Sequence, residues 1–127
     1  MRKKILSIDD EVDTLIFYSE LLDDYNFTSI TAENGVEGLK KAREEKPDLI
    51  ILDIMMPKKS GMLTYKELKK DPDLMNIPVV IITAMPKEVD YMTLLNRSTM
   101  KHIAPAGHIV KPLTPDDLIK EIEEVLG

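Results

Sequence analysis

Two short runs, Asp48–Leu52 (DLIIL) and Pro78–Ile82 (PVVII), are apolar nearly throughout. A strand with one wet face alternates apolar and polar residues, so a run without alternation must be covered on both faces, as in a parallel sheet. Further β-rich runs lie at Lys4–Ile8 (KILSI), Thr28–Ala32 (TSITA) and His108–Val110 (HIV). Between them the period changes. After Asp10 the residues Val12, Leu15, Ile16 and Leu22 recur at steps of three and four, with Ser19 filling one turn. Asn34 is placed to cap a second helix that carries Val36, Leu39 and Ala42 and is ended by Lys46-Pro47. A third helix, Thr64–Lys70, is short and polar, and the chain from Met85 to Gly107 holds one helix plus a loop. The last helix starts with Thr114 as N-cap and Pro115 in the first turn. Asp116 and Asp117 stand at its positive dipole end, and its stripe is Leu118, Ile119, Ile122, Val125 and Leu126. Strand–helix alternation repeated five times predicts an α/β fold, an open, doubly wound parallel sheet with helices on both faces. At 127 residues the chain fits one domain, residues 1–127.

Composition narrows the function classes. With no cysteine, thiol catalysis, disulfides and Cys-ligated metal sites are excluded. The net charge of −6 argues against direct nucleic-acid binding, which rests on clustered Lys and Arg. The start, MRKKILSIDD, is too briefly apolar for a signal peptide, and no later run approaches the ~20 apolar residues of a membrane span. A cytoplasmic location is expected.

Open parallel sheets bind ligands beyond the carboxyl ends of their strands. The polar residues that end the apolar runs therefore matter most. They are Asp9 and Asp10, with Glu11 following, then Asp53, Thr83 and Lys111. Taken singly each has an ordinary reading: Asp10 as a helix cap, Asp53 as turn chemistry, Thr83 as a β-former, Lys111 as a surface lysine. As a set they deliver carboxylates, a hydroxyl and an ammonium to one sheet edge. Clustered carboxylates repel one another and favour a hard divalent cation such as Mg²⁺. A carboxylate beside such a cation can attack phosphorus, and a cation and a donor then serve the transferred oxygens. The constellation reads as phosphoryl acceptance on Asp53.

The blocks ILSIDDE, DLIILDIMMPKKSG, PVVIITA and VKPLTPDDL, in this order, resemble the receiver domain of two-component response regulators across essentially the whole chain. That resemblance implies a flavodoxin-like sheet of five strands in the order 2-1-3-4-5. It implies Asp53 as phospho-acceptor and Mg²⁺ held by Asp10, Asp53 and the Met55 backbone carbonyl, with Asp9 acting through water. Thr83 would be the switch hydroxyl, Lys111 the phosphoryl partner and Lys111-Pro112 a cis peptide. Pro57 and Gly61 match the loop after the acceptor. The implied partners are a sensor histidine kinase or phosphotransfer protein and a downstream protein. The implied role is signalling rather than dedicated catalysis.

The chain departs from the family pattern at three places. His108 stands where the family carries its switch aromatic, which allows either a pH-sensitive switch or a plain strand residue. The Thr83-to-Lys111 segment is longer than usual, with the excess expected in RSTMKHIAPAGH. Met55 and Met85 flank the water's approach to the phosphate and cannot orient it, so slow dephosphorylation is expected. Two rivals stand beside the phosphorylated switch. A haloacid-dehalogenase-type hydrolase needs an acid where Met55 stands, and a receiver-like interaction module would work without phosphorylation. The sequence runs out at Leu126-Gly127 after the last helix, so output is expected through protein contacts, a homodimer among them.

Overall fold

The computed structural model describes residues 2–54, 61–83 and 105–127. In chain order these form β1 (Lys4–Ile8), α1 (Val12–Asp24), β2 (Thr28–Ala32), α2 (Gly35–Glu45), β3 (Leu49–Asp53), α3 (Gly61–Lys70), β4 (Val79–Thr83), β5 (Gly107–Val110) and α4 (Pro115–Leu126). The five strands make one parallel sheet in the order β2-β1-β3-β4-β5. This is the doubly wound α/β sheet that the alternation and the resemblance imply. The helix expected within 85–107 lies outside the described residues.

Why the two apolar runs became β3 and β4 is visible in their burial: every residue of both strands is buried. On one face of the sheet Leu6, Ile8, Ile50, Leu52, Val79 and Ile81 pack with Leu39 and Ala42 of α2 and Tyr65 and Leu68 of α3. On the other, Ile5, Leu49, Ile51, Val80 and Ile82 pack with Tyr18 and Leu22 of α1 and Leu118, Ile119 and Ile122 of α4. Each such side chain contributes roughly 1.5–3 kcal/mol on burial, so the central strands anchor the core on both faces of the sheet.

Element edges moved for identifiable reasons. β3 runs Leu49–Asp53, one residue later than the sequence suggests, because Asp48 serves as an entry clamp. Its Oδ2 accepts from the Lys4 backbone N–H at 2.7 Å, and its own N–H donates to the Lys4 carbonyl at 2.8 Å. β4 starts at Val79 because Pro78 has no N–H to give, although its carbonyl accepts from Ile50 at 3.0 Å. β5 starts one residue early, at Gly107.

The helices carry the caps their sequences advertise. Asn34 Oδ1 accepts from the Glu37 N–H at 2.9 Å, and α2 stops at Lys46, whose φ of 49° is left-handed. Thr114 and Asp117 form a reciprocal capping box at 3.1 and 3.0 Å, with Pro115 first in the helix. Other assignments change. α3 begins at Gly61, not Thr64, and buries Thr64, Tyr65 and Lys69. The core face of α2 is Gly35, Gly38, Leu39 and Ala42, while Val36 is 66% exposed. α1 buries Leu15, Tyr18 and Leu22 and leaves Val12 and Ile16 about half exposed.

Candidate functional site

The carboxyl ends of the strands open on one edge of the sheet, and the acids collect there. β1 ends at Ile8, and the Asp9 N–H still pairs with the Ala32 carbonyl at 3.1 Å, which holds Asp9 at the strand's mouth. Its Oδ1 accepts from the Glu11 N–H at 2.9 Å, closing the turn into α1. That helix has Glu11 as its N-cap with no side-chain cap bond, so Asp10 does not cap it. Asp53 is the last residue of β3, pinned because the next N–H, of Ile54, pairs with Ile82 of β4 at 3.2 Å. One carboxylate oxygen each from Asp9, Asp10 and Asp53 lies within 4.8 Å of the others; Asp9 and Asp53 are buried and Asp10 is exposed.

The cation arrives from the far edge. The Lys111 N–H donates to the Thr83 carbonyl at 2.8 Å, extending the β4–β5 ladder by one residue. From there its Nζ reaches to 3.5 Å from Asp53 Oδ2. The Lys111–Pro112 peptide bond is cis. Thr83, buried at the end of β4, faces Val110 in register. His108 pairs with Ile81, two register steps back along β5, and its side chain is exposed. At about 3.3 Å per residue that sets it roughly 7 Å down the strand from the level of Thr83. Met55, Pro57 and Met85 lie outside the described residues.

Electrostatics follow from the crowding. The Asp9 carboxyl rises from 3.8 to about 6, first because it is buried and then because Asp53 and Asp10 add negative charge; the Glu11 N–H and Lys111 oppose this. Its Oδ2 has no hydrogen-bond partner among the described residues. A buried, unpartnered carboxylate oxygen beside two more acids is a hard-oxygen donor set, and it fits a hard divalent cation.

Tyr18 is a neighbour that sequence reading missed. It sits at i+3 from Leu15 and i−4 from Leu22, the spacing that should have marked it. Burial and the nearby negative charge of Asp9, Asp53 and Glu11 push its phenol upward, so the hydroxyl keeps its proton. With Thr14, Phe17, Lys111, Pro112 and Leu113 it lines a cavity of about 640 Å³ between α1 and the turn after β5.

The comparisons with known proteins agree with this layout. Residues 5–123 match the family described as the response regulator receiver domain. The chain belongs to that family. Among curated relatives, this receiver domain is 33% identical over 126 residues to the alkaline phosphatase synthesis transcriptional regulatory protein PhoP of Bacillus subtilis, covering 99% of this chain and 49% of PhoP. It is 32% identical to protein PilH of Pseudomonas aeruginosa, covering 98% of each, and 31% identical to the polar-differentiation response regulator DivK of Brucella anthropi, covering 100% of this chain and 98% of DivK. The chain thus spans about half the length of PhoP and nearly all of PilH and DivK. Among solved structures, the chemotaxis protein CheY4 of Vibrio cholerae superposes with a TM-score of 0.85 at 26% identity, covering 98% of this chain and 99% of that one. No helix among the described residues of the receiver domain is long and apolar enough to cross a membrane.

Proposed function

We propose that this receiver domain accepts a phosphoryl group on Asp53 from a sensor histidine kinase or phosphotransfer protein and thereby switches contacts with a downstream protein. The observation that carries the reading is the convergence of Asp9, Asp10 and Asp53 with the Lys111 ammonium 3.5 Å from Asp53. A carboxylate oxygen of Asp53 attacks phosphorus, a P–O bond forms, and the P–N bond to the donor imidazole breaks, the ring leaving with a proton. Lys111 balances charge on the phosphoryl oxygens, and Thr83, from the adjacent strand end, supplies a hydroxyl to them. Mg²⁺, when bound, neutralises the acids and the incoming phosphoryl oxygens. Asp10 and Asp53 would hold it directly, with the Met55 carbonyl, and Asp9 through water.

The chain's own residues then explain a switch. Phosphorylation replaces the Lys111–Asp53 pair with a bulkier anion, which draws Lys111 and Thr83 toward it and repacks β5. On this reading His108, on that strand and at the family's switch position, reports the change. The role is signalling in the cytoplasm, not dedicated turnover.

Incubation with acetyl phosphate and Mg²⁺ followed by intact-mass measurement tests this. One phosphoryl adduct is expected, absent without Mg²⁺ and absent in Asp53→Asn. If wild type gains no adduct and binds no beryllofluoride, the module works unphosphorylated. The adduct should also be long-lived, given Met55 and Met85; decay within seconds refutes that part.

A further inference from the structure

The larger cavity, beside Lys111, belongs to the acid site. A second depression lies on the opposite flank of α1, against the open edge of the sheet. It holds about 210 Å³ and is lined by Val12, Leu15, Ile16 and Glu20 of α1 and by Thr31 and Glu33 at the end of β2. Three observations bear on what it is for.

First, its floor is apolar and uncovered. Val12 is 50% and Ile16 51% exposed, and with Glu20 they form one straight i, i+4, i+8 row about 12 Å long. Second, its rim is acidic. Glu20 and Glu33 are exposed, and among the described residues no salt bridge includes either. The Lys41 ammonium, which reaches the Thr31 end of the groove, is committed elsewhere: it bridges to Glu37 at 3.0 Å and donates to the outward carbonyl of Thr31 on the free edge of β2. Third, the volume is below the roughly 300 Å³ of small-molecule sites, yet ample for one aliphatic side chain.

We propose that the α1–β2 groove is a docking surface for a protein segment that presents an aliphatic anchor flanked by Lys or Arg. The anchor fills the depression over Val12 and Ile16, and the bases meet Glu20 and Glu33. Charge complementarity selects the partner, because an acidic segment would meet two uncompensated carboxylates on the rim. The surface is independent of the phosphoryl chemistry. It leaves Lys111, Thr83 and the acid cluster untouched.

The test uses a synthetic helical peptide of about twelve residues with Leu at i and i+4 and Lys beside them, titrated into ¹⁵N-labelled protein. Amide shifts are expected at Val12, Ile16, Ser19 and Thr31, weakening as salt rises. Ile16→Ser should weaken binding about tenfold, and a matching thermal unfolding curve shows that the variant is folded. The double change Glu20→Lys and Glu33→Lys should move preference to the same peptide with Glu in place of Lys. The proposal is overturned if the peptide gives no shifts at millimolar concentration. It is also overturned if shifts gather around Phe17 and Lys111, or if Ile16→Ser and salt leave the affinity unchanged.

Discussion

The raised carboxyl of Asp9 makes a prediction that runs against the usual effect of deleting a site residue. Replacing Asp9 by Asn keeps an acceptor for the Glu11 N–H, now 2.9 Å from Oδ1, and removes one buried charge. In the native protein this carboxyl rises from 3.8 to about 6, whereas an unfolded chain restores the ordinary value. Below about pH 4 both states hold the proton and the charge costs nothing. As pH rises, the unfolded state releases its proton first, so stability falls until about pH 6 and is constant above it. Two pH units at about 1.4 kcal/mol each give a ceiling of about 3 kcal/mol. Solvent reaching the exposed neighbour Asp10 screens the interaction and brings the expected value nearer 2 kcal/mol.

Asp9→Asn should therefore be more stable than wild type by about 2 kcal/mol near neutral pH in EDTA, and equal to it near pH 4. Urea unfolding at the two pH values, followed by circular dichroism, reads both numbers. Millimolar Mg²⁺ should raise the wild-type midpoint more than that of the variant, which keeps Asp10 and Asp53 but loses one charge of the set, because binding to the native state alone adds stability by mass action. An identical gain at both pH values would refute the charge argument. So would a loss at neutral pH, which would mean that the carboxylate is needed to hold the Asp10–Glu11 turn.

Three further substitutions probe the frame around the site. Gly61→Ala would set a Cβ 2.1 Å from the Ile54 Cα and 2.3 Å from the Asp53 carbonyl oxygen, so backbone must shift; a loss above about 2 kcal/mol is expected in denaturant melts, together with slower phosphoryl uptake. Thr114→Ala removes half of the α4 capping box and should cost about 1 kcal/mol with phosphorylation unchanged. Lys69→Met strands the carbonyls of Met75 and Ile77, which Nζ now satisfies at 3.2 and 2.9 Å. That change should cost about 1–3 kcal/mol and speed amide exchange across residues 71–77 without altering phosphoryl uptake.

Much of the fold was legible because the central strands are extreme. Runs such as LIIL and PVVII admit few environments, and their placement was right to within a residue. Asp53, read as the polar residue that ends its run, is the last member of β3, whose bounds lie one residue later than the apolar run, and this fixes its carboxylate. Helix faces were harder to read, because hydrophobicity is only a proxy for close approach. In α2 the buried face uses Gly38, where a Cβ would stand 2.5 Å from Ile8 Cδ1, so the larger Val36 turns outward. In α3, which read only as short and polar, Lys69 is buried because two carbonyls that the sequence does not reveal accept from it. The convergence of Asp9, Asp10, Asp53 and Lys111 was readable from strand ends alone. The elevation of Asp9 was not, since it depends on how deeply the turn sinks.

The sheet order has a mechanical consequence. Asp9 and Asp53 stand at the ends of β1 and β3, each bonded to neighbours on both sides, whereas Lys111 follows a four-residue strand bonded to β4 alone. The site therefore has an anvil and a lever. New charge on Asp53 would press on a strand held from both sides, whereas Lys111 follows one held from a single side, which yields more readily. A chemical event there would thus be steered outward toward β5 and α4 rather than lost in the core.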